Sequence, residues 1–305
     1  MLRASGPVDA GVPHFDVQTL LQTPVVTVLD VYCPGGSAHR GGEETSSRTH
    51  LVFPYRGTYV RHVGEDAAVA DASQVLLFNA GETYRVSHPH AGGDASLVLQ
   101  LDEAMLRELA PRALLHSGDT LRFNTQRLRI DPRAQVLVAM LRHALREGTA
   151  EPLEGESLAL VLASRALGPR TAHVAGAGHA KQRLVERTKV VLAGDLARRW
   201  TLAEVAGEVG VSPVYLTQSF RQVEGVPLYR YHVRLRLARA LDLLAGHADL
   251  SALAQDLGFS SHSHFAAAFQ QAYRRTPSEF RQDVLGQTRA PSGHQPGPPP
   301  KPHPP

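Results

Sequence analysis

Apolar residues recur along this chain with two different periods, and the change of period divides it. Between residues 24 and 101 they form short β-branched or aromatic runs at 25–32, 49–53, 58–63, 74–78, 84–87 and 96–101. Turn formers punctuate these runs: Pro34-Gly35-Gly36, Gly41-Gly42, Pro54, Gly57, Gly64, Asn79-Ala80-Gly81 and Gly92-Gly93. Many short strands separated by glycine turns predict a barrel or sandwich. From Asp102 the period becomes helical. Leu101, Met105, Leu106, Leu109 and Leu114 predict a helix broken at Pro111, and 135–146 and 157–167 predict two more. Val136, Met140, Leu141 and Leu145 make an apolar face that either covers the sheet domain or pairs two copies of the chain.

Further on, one pattern is written twice. Val205-Ala206-Gly207-Glu208-Val209-Gly210-Val211-Ser212 returns as Leu253-Ala254-Gln255-Asp256-Leu257-Gly258-Phe259-Ser260. Leu202, Val205, Ala206 and Val209 share one helix face, as do Leu250, Leu253, Ala254 and Leu257. Thr201 with Glu204 predicts a capping box, and Asp249 caps the second copy. Gly210 and Gly258 stand where the chain must turn sharply. Ser212-Pro213 then opens a helix buried through Leu216 and Phe220, and Ser260 or Ser261 opens one buried through Phe265 and Phe269. Each copy is a helix-turn-helix. The helix predicted over 228–245 between them would span roughly 27 Å, against about 34–36 Å for one turn of B-DNA. A rod of that length can hold two recognition helices in successive major-groove segments.

With these residues in view, 182–285 resembles the DNA-binding domain of AraC/XylS-family bacterial transcription regulators. Arg236-Leu237, Ala240, Leu244, Ala254, Gly258-Phe259, Phe265, Phe269, Pro277 and Phe280-Arg281 carry the resemblance. One departure is Arg274, where the family usually has glycine. The resemblance implies an α+β architecture: a cupin-like β-barrel with following helices, then an all-α domain of two helix-turn-helix units on a linker helix. The expected divisions are a sensor domain over 1–130, a helical segment over 131–167, a Gly-rich linker over 168–181, the DNA-binding domain over 182–285 and a disordered Pro-rich tail over 286–305.

Composition adjusts this picture only slightly. A net charge of +3 and pI near 9.2 are mildly basic. The one cysteine, Cys33, excludes an intramolecular disulfide and suits a reducing compartment. No apolar run approaches the roughly 18 residues that would cross a bilayer, and the N-terminus has no secretory h-region. A cytoplasmic protein without membrane association is expected.

The face opposite Leu216 and Phe220 offers Val214, Thr217 and Gln218 for base contacts and Arg221 for phosphate. Gln218 suits adenine, and Val214 and Thr217 suit a thymine methyl. The second unit offers His262, Ser263, His264, Ala266 and Ala267, a face poor in long donors. It is expected to position more than specify. Arg230, Arg234, Arg236, Arg239, Arg274, Arg275 and Arg281 are phosphate candidates, with Arg236 alternatively tying the two units together.

In the first domain Tyr59 and Arg61 share one strand face, so Arg61 and Arg85 could bind an anionic small-molecule effector. Cys33, His39, His50 and His88 are candidate metal ligands, with Glu43, Glu44 and His90 nearby in sequence. The resemblance implies a transcription activator with double-stranded DNA and RNA polymerase as partners, a small-molecule effector, a homodimer, and no cofactor. The alternative is a cupin-type metal-dependent enzyme fused to a DNA-binding domain. A repair protein with cysteine methyl acceptors is disfavoured, because Cys33 has no cysteine partners.

Overall fold

The runs between residues 16 and 129 pair into two antiparallel sheets. The larger has the order β1-β2-β9-β4-β7-β10, formed by β1 (Asp16–Gln22), β2 (Val26–Cys33), β9 (Asp94–Leu101), β4 (His50–Arg56), β7 (Gln74–Phe78) and β10 (Arg127–Arg129). The smaller, β3-β8-β5-β6, comprises β3 (Glu44–Thr45), β8 (Thr83–Ser87), β5 (Tyr59–Val63) and β6 (Asp66–Ala70). The computed structural model describes residues 15–36, 38–116, 118, 120–168 and 178–286. Most of the expected linker and Pro-rich tail therefore lies outside the described residues.

Central strands of the large sheet are apolar on both faces because both are covered. Leu51, Phe53, Leu77, Leu97 and Leu99 point towards helices α2 (Pro132–Arg146) and α3 (Pro152–Leu167). Val52, Leu76, Phe78 and Val98 meet Tyr59, Ala70, Tyr84 and Val86 of the small sheet. Strands buried on both faces read as continuous apolar runs rather than alternating ones, and Gln74–Phe78 is buried throughout. A shorter helix, α1 (Glu103–Leu109), follows β9 and stops before Pro111 as expected.

The apolar face expected on α2 is divided between two neighbours. Leu141 and Leu145 pack into the sandwich core, whereas Val136 and Met140 pack on the second helix-turn-helix core. The reading of that face as a dimer surface is corrected accordingly. Leu153 and Val161 of α3 remain exposed.

The helical domain begins with α4 (His179–Gly194) and continues through α5 (Leu202–Val209), α6 (Pro213–Glu224), α7 (Leu228–Leu243), α8 (Leu250–Asp256), α9 (His262–Tyr273) and α10 (Pro277–Gly286). One core gathers Val185, Leu192, Val205, Leu216 and Phe220 around Tyr231 and Leu235 of α7. The other gathers Leu253, Phe259, Phe265, Phe269 and Phe280 around Leu237, Ala240 and Leu244. The linker helix is thus a shared wall of both units.

Local signals act where the sequence places them. Thr201 and Glu204 form the reciprocal capping box, and the Thr201 backbone N–H, its hydroxyl and Arg198 hold the Glu204 carboxyl down to about 2. Ser212 caps α6 by accepting from the Tyr215 N–H. Of the two candidate serines, Ser261 caps α9 by accepting from the His264 N–H.

Gly210 and Gly258 both adopt positive φ, 70° and 77°, but their surroundings differ. A Cβ on Gly210 would meet nothing within 4 Å, whereas one on Gly258 would lie 2.1 Å from the Ala197 carbonyl oxygen. Gly210→Ala is expected to cost about 1 kcal/mol, for left-handed backbone alone. Gly258→Ala should cost about 3 kcal/mol or more, because the two units must also separate. Denaturant unfolding of the two variants checks this, and equal losses would refute the close-contact account.

Candidate nucleic-acid interface

Recognition surfaces are built by what α6 and α9 leave unburied. Leu216, Phe220 and Val223 fix α6 in its core, so Val214, Thr217, Gln218 and Arg221 are turned outward and exposed. Val214 is 67% exposed, next to Tyr215 at 42%, so α6 presents apolar as well as polar side chains on its outer face. On α9, Phe265 and Phe269 are fully buried while His262, Ser263, His264 and Ala267 face out and Ala266 is half-buried. His264 is tethered by its Nδ1 to the Ser260 hydroxyl at 3.0 Å and sits edge-on to Phe259.

Arg236 fixes the relation between the two units. Its Nε donates to the Leu196 carbonyl, one terminal nitrogen to the Gly258 carbonyl at 3.1 Å, and the other to the Ala197 and Arg198 carbonyls at 3.3 and 2.8 Å. The first group of carbonyls belongs to the first unit's α4–α5 connection and Gly258 to the second unit's turn. A planar fork of five N–H donors can make these bonds at once, which a lysine cannot. Arg236 is therefore a structural clamp and not a phosphate contact.

Other arginines sort by where they point. Arg230 and Arg274 are exposed. Arg274 ends α9 with φ 61°, the one described non-glycine residue with positive φ, where α6 ends on Gly225. The departure from the family's glycine therefore leaves the helix end in its left-handed form. Arg275 pairs with Asp283 at 2.5 Å. Arg281 donates to the His247 and Ala248 carbonyls. Arg234 is half-buried and lines a cleft with Ser73, Arg129 and Gln135 of the first domain, and Arg239 pairs with buried Asp242. These two face the domain junction, which corrects their reading as phosphate contacts.

That junction was not read from sequence. Asp242 also binds Arg56 at 3.0 Å and Arg142 at 2.5 Å, both from the first domain. Below it, Lys189 is sealed between Glu186 at 3.2 Å and Glu224 at 2.7 Å. Arg127 and Arg129 of β10 complete a buried chain by pairing with Glu186 and Glu224, each at 3.0 Å. Burial by itself would push the Lys189 ammonium down, but Glu186, Glu224 and Asp71 outweigh it and hold the group above its ordinary value. Arg129 also donates to the Val223 and Glu224 carbonyls, capping the C-terminal end of α6 from the other domain. Charged residues on the otherwise apolar face of α4 were the available signal.

Within the sandwich, Arg61 points inward and its terminal nitrogens are already engaged, while its buried Nε has no hydrogen-bond partner. It donates to the Leu77 carbonyl at 2.9 Å, pairs with Glu82, and lies 3.7 Å from the Phe78 ring centroid. Arg85 is on the outer surface beside Glu43, so the two do not share a pocket. The candidate metal ligands also separate. His50 is bonded to the Arg48 carbonyl and stacked on Phe78, and His39 sits exposed in its loop. Cys33 and His88 instead converge with Asp94, which sequence reading missed.

These features define a class: a two-sheet domain joined to a paired helix-turn-helix domain. Residues 15–168 match the AraC-binding-like domain family and residues 205–283 a helix-turn-helix domain family. The chain belongs to the AraC family. It is 34% identical over 93 residues to the regulatory protein PocR of Salmonella typhimurium, covering 30% of each chain. It is 32% identical over 99 residues to the HTH-type transcriptional regulator GadX of Escherichia coli K12, covering 32% of this chain and 36% of GadX. Those matches thus span about a third of either relative. The probable transcriptional regulator LumQ of Photobacterium leiognathi is 24% identical over 245 residues, 77% of this chain and 92% of LumQ. Among solved structures, an AraC-type regulator from Chromobacterium violaceum gives 26% identity and a TM-score of 0.33, covering 38% of this chain and all of that one. ToxT of Vibrio cholerae gives 14% and 0.34, covering 90% and 98%.

Two outcomes test the site. Gln218→Ala should relax sequence preference, whereas Arg221→Ala should weaken binding to all sequences alike and lower the salt slope by about one; selection from a random DNA library at two salt concentrations separates them. His232, buried beside the clamp, is pushed down to about 4 by burial and then by Arg236. The unfolded chain protonates this group near pH 6.5. Stability from neutral His232 is therefore complete above that value and is lost as pH falls towards 4. Denaturant unfolding should lose on the order of 3 kcal/mol over this window through His232, and His232→Gln should flatten that dependence.

Proposed function

We propose that this protein is a sequence-specific regulator of transcription that binds double-stranded DNA through α6 and α9. The observation that carries the reading is the Arg236 clamp, which joins two outward-facing recognition helices through one rigid α7. That helix has 16 residues, roughly 24 Å at 1.5 Å per residue, which suits two adjacent major-groove segments on one face of a duplex. The wholly polar or small outer face of α9 fits a positioning role beside a specifying α6.

The sandwich domain acts in this reading as a small-molecule effector domain, and the protein as an activator that contacts RNA polymerase, not as an enzyme. Its influence on DNA binding would run through the junction, where Arg129 holds the end of α6. With Val136 and Met140 engaged inside the chain, α3 is the helical surface left for pairing two copies as a homodimer. A protein of this kind acts in the cytoplasm; no described helix is long and apolar enough to cross a membrane.

Sequencing genomic fragments retained by the full-length protein tests the reading. One asymmetric motif with two blocks about a helical turn apart is expected. Absence of any enriched motif, at low salt and with cell extract supplying small molecules, would overturn it.

A further inference from the structure

Cys33, His88 and Asp94 are drawn together from three elements at one end of the sandwich. Cys33 ends β2 and Asp94 begins β9, and the two are direct cross-strand partners in the large sheet. His88 immediately follows β8 of the small sheet. All three are more than nine-tenths buried. The Cys33 Sγ lies 3.4 Å from His88 Nε2, and Asp94 Oδ2 lies 3.1 Å from the same nitrogen.

Two features separate this cluster from an ordinary buried hydrogen-bond set. Both the sulfur and the carboxylate converge on one ring nitrogen, whereas a Cys-His-Asp relay would use opposite nitrogens. A single Nε2 proton cannot serve both partners. Moreover, Asp94 Oδ2 is buried without a hydrogen-bond partner despite its close approach to the ring. A tetrahedral zinc ion with bonds of about 2.3 Å to sulfur and 2.0–2.1 Å to nitrogen and oxygen sets sulfur–nitrogen edges of about 3.5 Å and nitrogen–oxygen edges of about 3.3 Å. The observed separations are close to those edges.

Strand pairing and close glycine packing hold Cys33 and Asp94 together. Gly93 has φ 71°, and a Cβ there would lie 2.3 Å from the Cys33 carbonyl oxygen; one on Gly57 would lie 2.1 Å from the Gly93 carbonyl oxygen. The loop between the two ligands His88 and Asp94 carries His90. Its Nε2 is 2.8 Å from the Val190 carbonyl of α4, and its ring rests against Gly194.

We propose that Cys33 Sγ, His88 Nε2 and Asp94 Oδ2 bind one divalent ion of the zinc class, and that this ion sets the loop 89–93 against α4. On binding, the thiol proton is released to solvent and the sulfur binds as thiolate. The ion ties the two sheets together at this end and thereby reaches the first helix of the helical domain through His90. Mixed sulfur, imidazole and carboxylate donors favour zinc or cobalt over magnesium or calcium.

Cobalt is the direct probe. Full-length protein freed of metal by a chelator is titrated with Co²⁺. Saturation at one equivalent is expected, with a thiolate-to-cobalt charge-transfer band and tetrahedral visible bands, all displaced by Zn²⁺. The chain has one cysteine, so the charge-transfer band reports this site alone, whatever the other histidines bind. Cys33→Ser and His88→Gln should abolish the band. Asp94→Asn, nearly isosteric and able to keep the fold, should weaken affinity at least tenfold. No charge-transfer band at saturation, or a band retained by His88→Gln, would overturn the site. Asp94→Asn with unchanged affinity would remove Asp94 from the ligand set and with it the three-ligand proposal. Amide hydrogen exchange on the same samples should slow on metal loading in 89–93 and at the end of α4, and unchanged exchange there overturns the link to the helical domain. None of these readouts depends on DNA binding.

Discussion

A lysine ammonium sealed from water has to be surrounded by negative charge, and that requirement organises the junction between the two halves of this chain. Lys189 meets Glu186 and Glu224, and each carboxylate is in turn met by an arginine from β10. Glu186 also accepts the Val69 N–H of the sandwich at 2.7 Å, and the Tyr231 hydroxyl donates to Asp71. Removing one member of such a buried set leaves an uncompensated charge, typically a loss of about 3–5 kcal/mol. The chain alternates between domains, so none of its carboxylates is satisfied within one domain alone. The orientation of the first recognition helix is a dependent quantity: its last turn supplies Glu224 and its last carbonyls are held by Arg129.

The helical domain was largely legible in the sequence because its determinants are local. Caps, turn glycines and the apolar periodicity lie within a few residues of one another, and α5 through α9 form where the doubled pattern placed them. The strands were legible where β-branched residues cluster. They were not where the run is exposed and polar, as in Asp16–Gln22, alanine-rich, as in Asp66–Ala70, or three residues long with two arginines, as in Arg127–Arg129.

What escaped was long-range. Strand alternation put Tyr59 and Arg61 on one face without deciding which way that face points, and only the register of β5 with β8 and the course of β7 reveal that Arg61 is buried and that Glu82, Leu77 and Phe78 already engage it. Asp94 was invisible as a partner of Cys33 because sixty-one positions separate them and only the pairing of β2 with β9 joins them. Arg236 could be read as a phosphate contact or as a tie between units, and four backbone carbonyls decide for the second.

The capping of α6 by Arg129 has a consequence for how such proteins can be assembled from parts. A sandwich domain grafted onto another helix-turn-helix pair would bring two arginines to a surface with no carboxylates to receive them, and the helices left behind would hold two buried carboxylates, Glu186 and Glu224, with Lys189 as their shared counter-charge. The two halves are therefore matched components, and a functioning chimera must exchange β10, α4 and the end of α6 as one set, wherever the covalent junction is drawn.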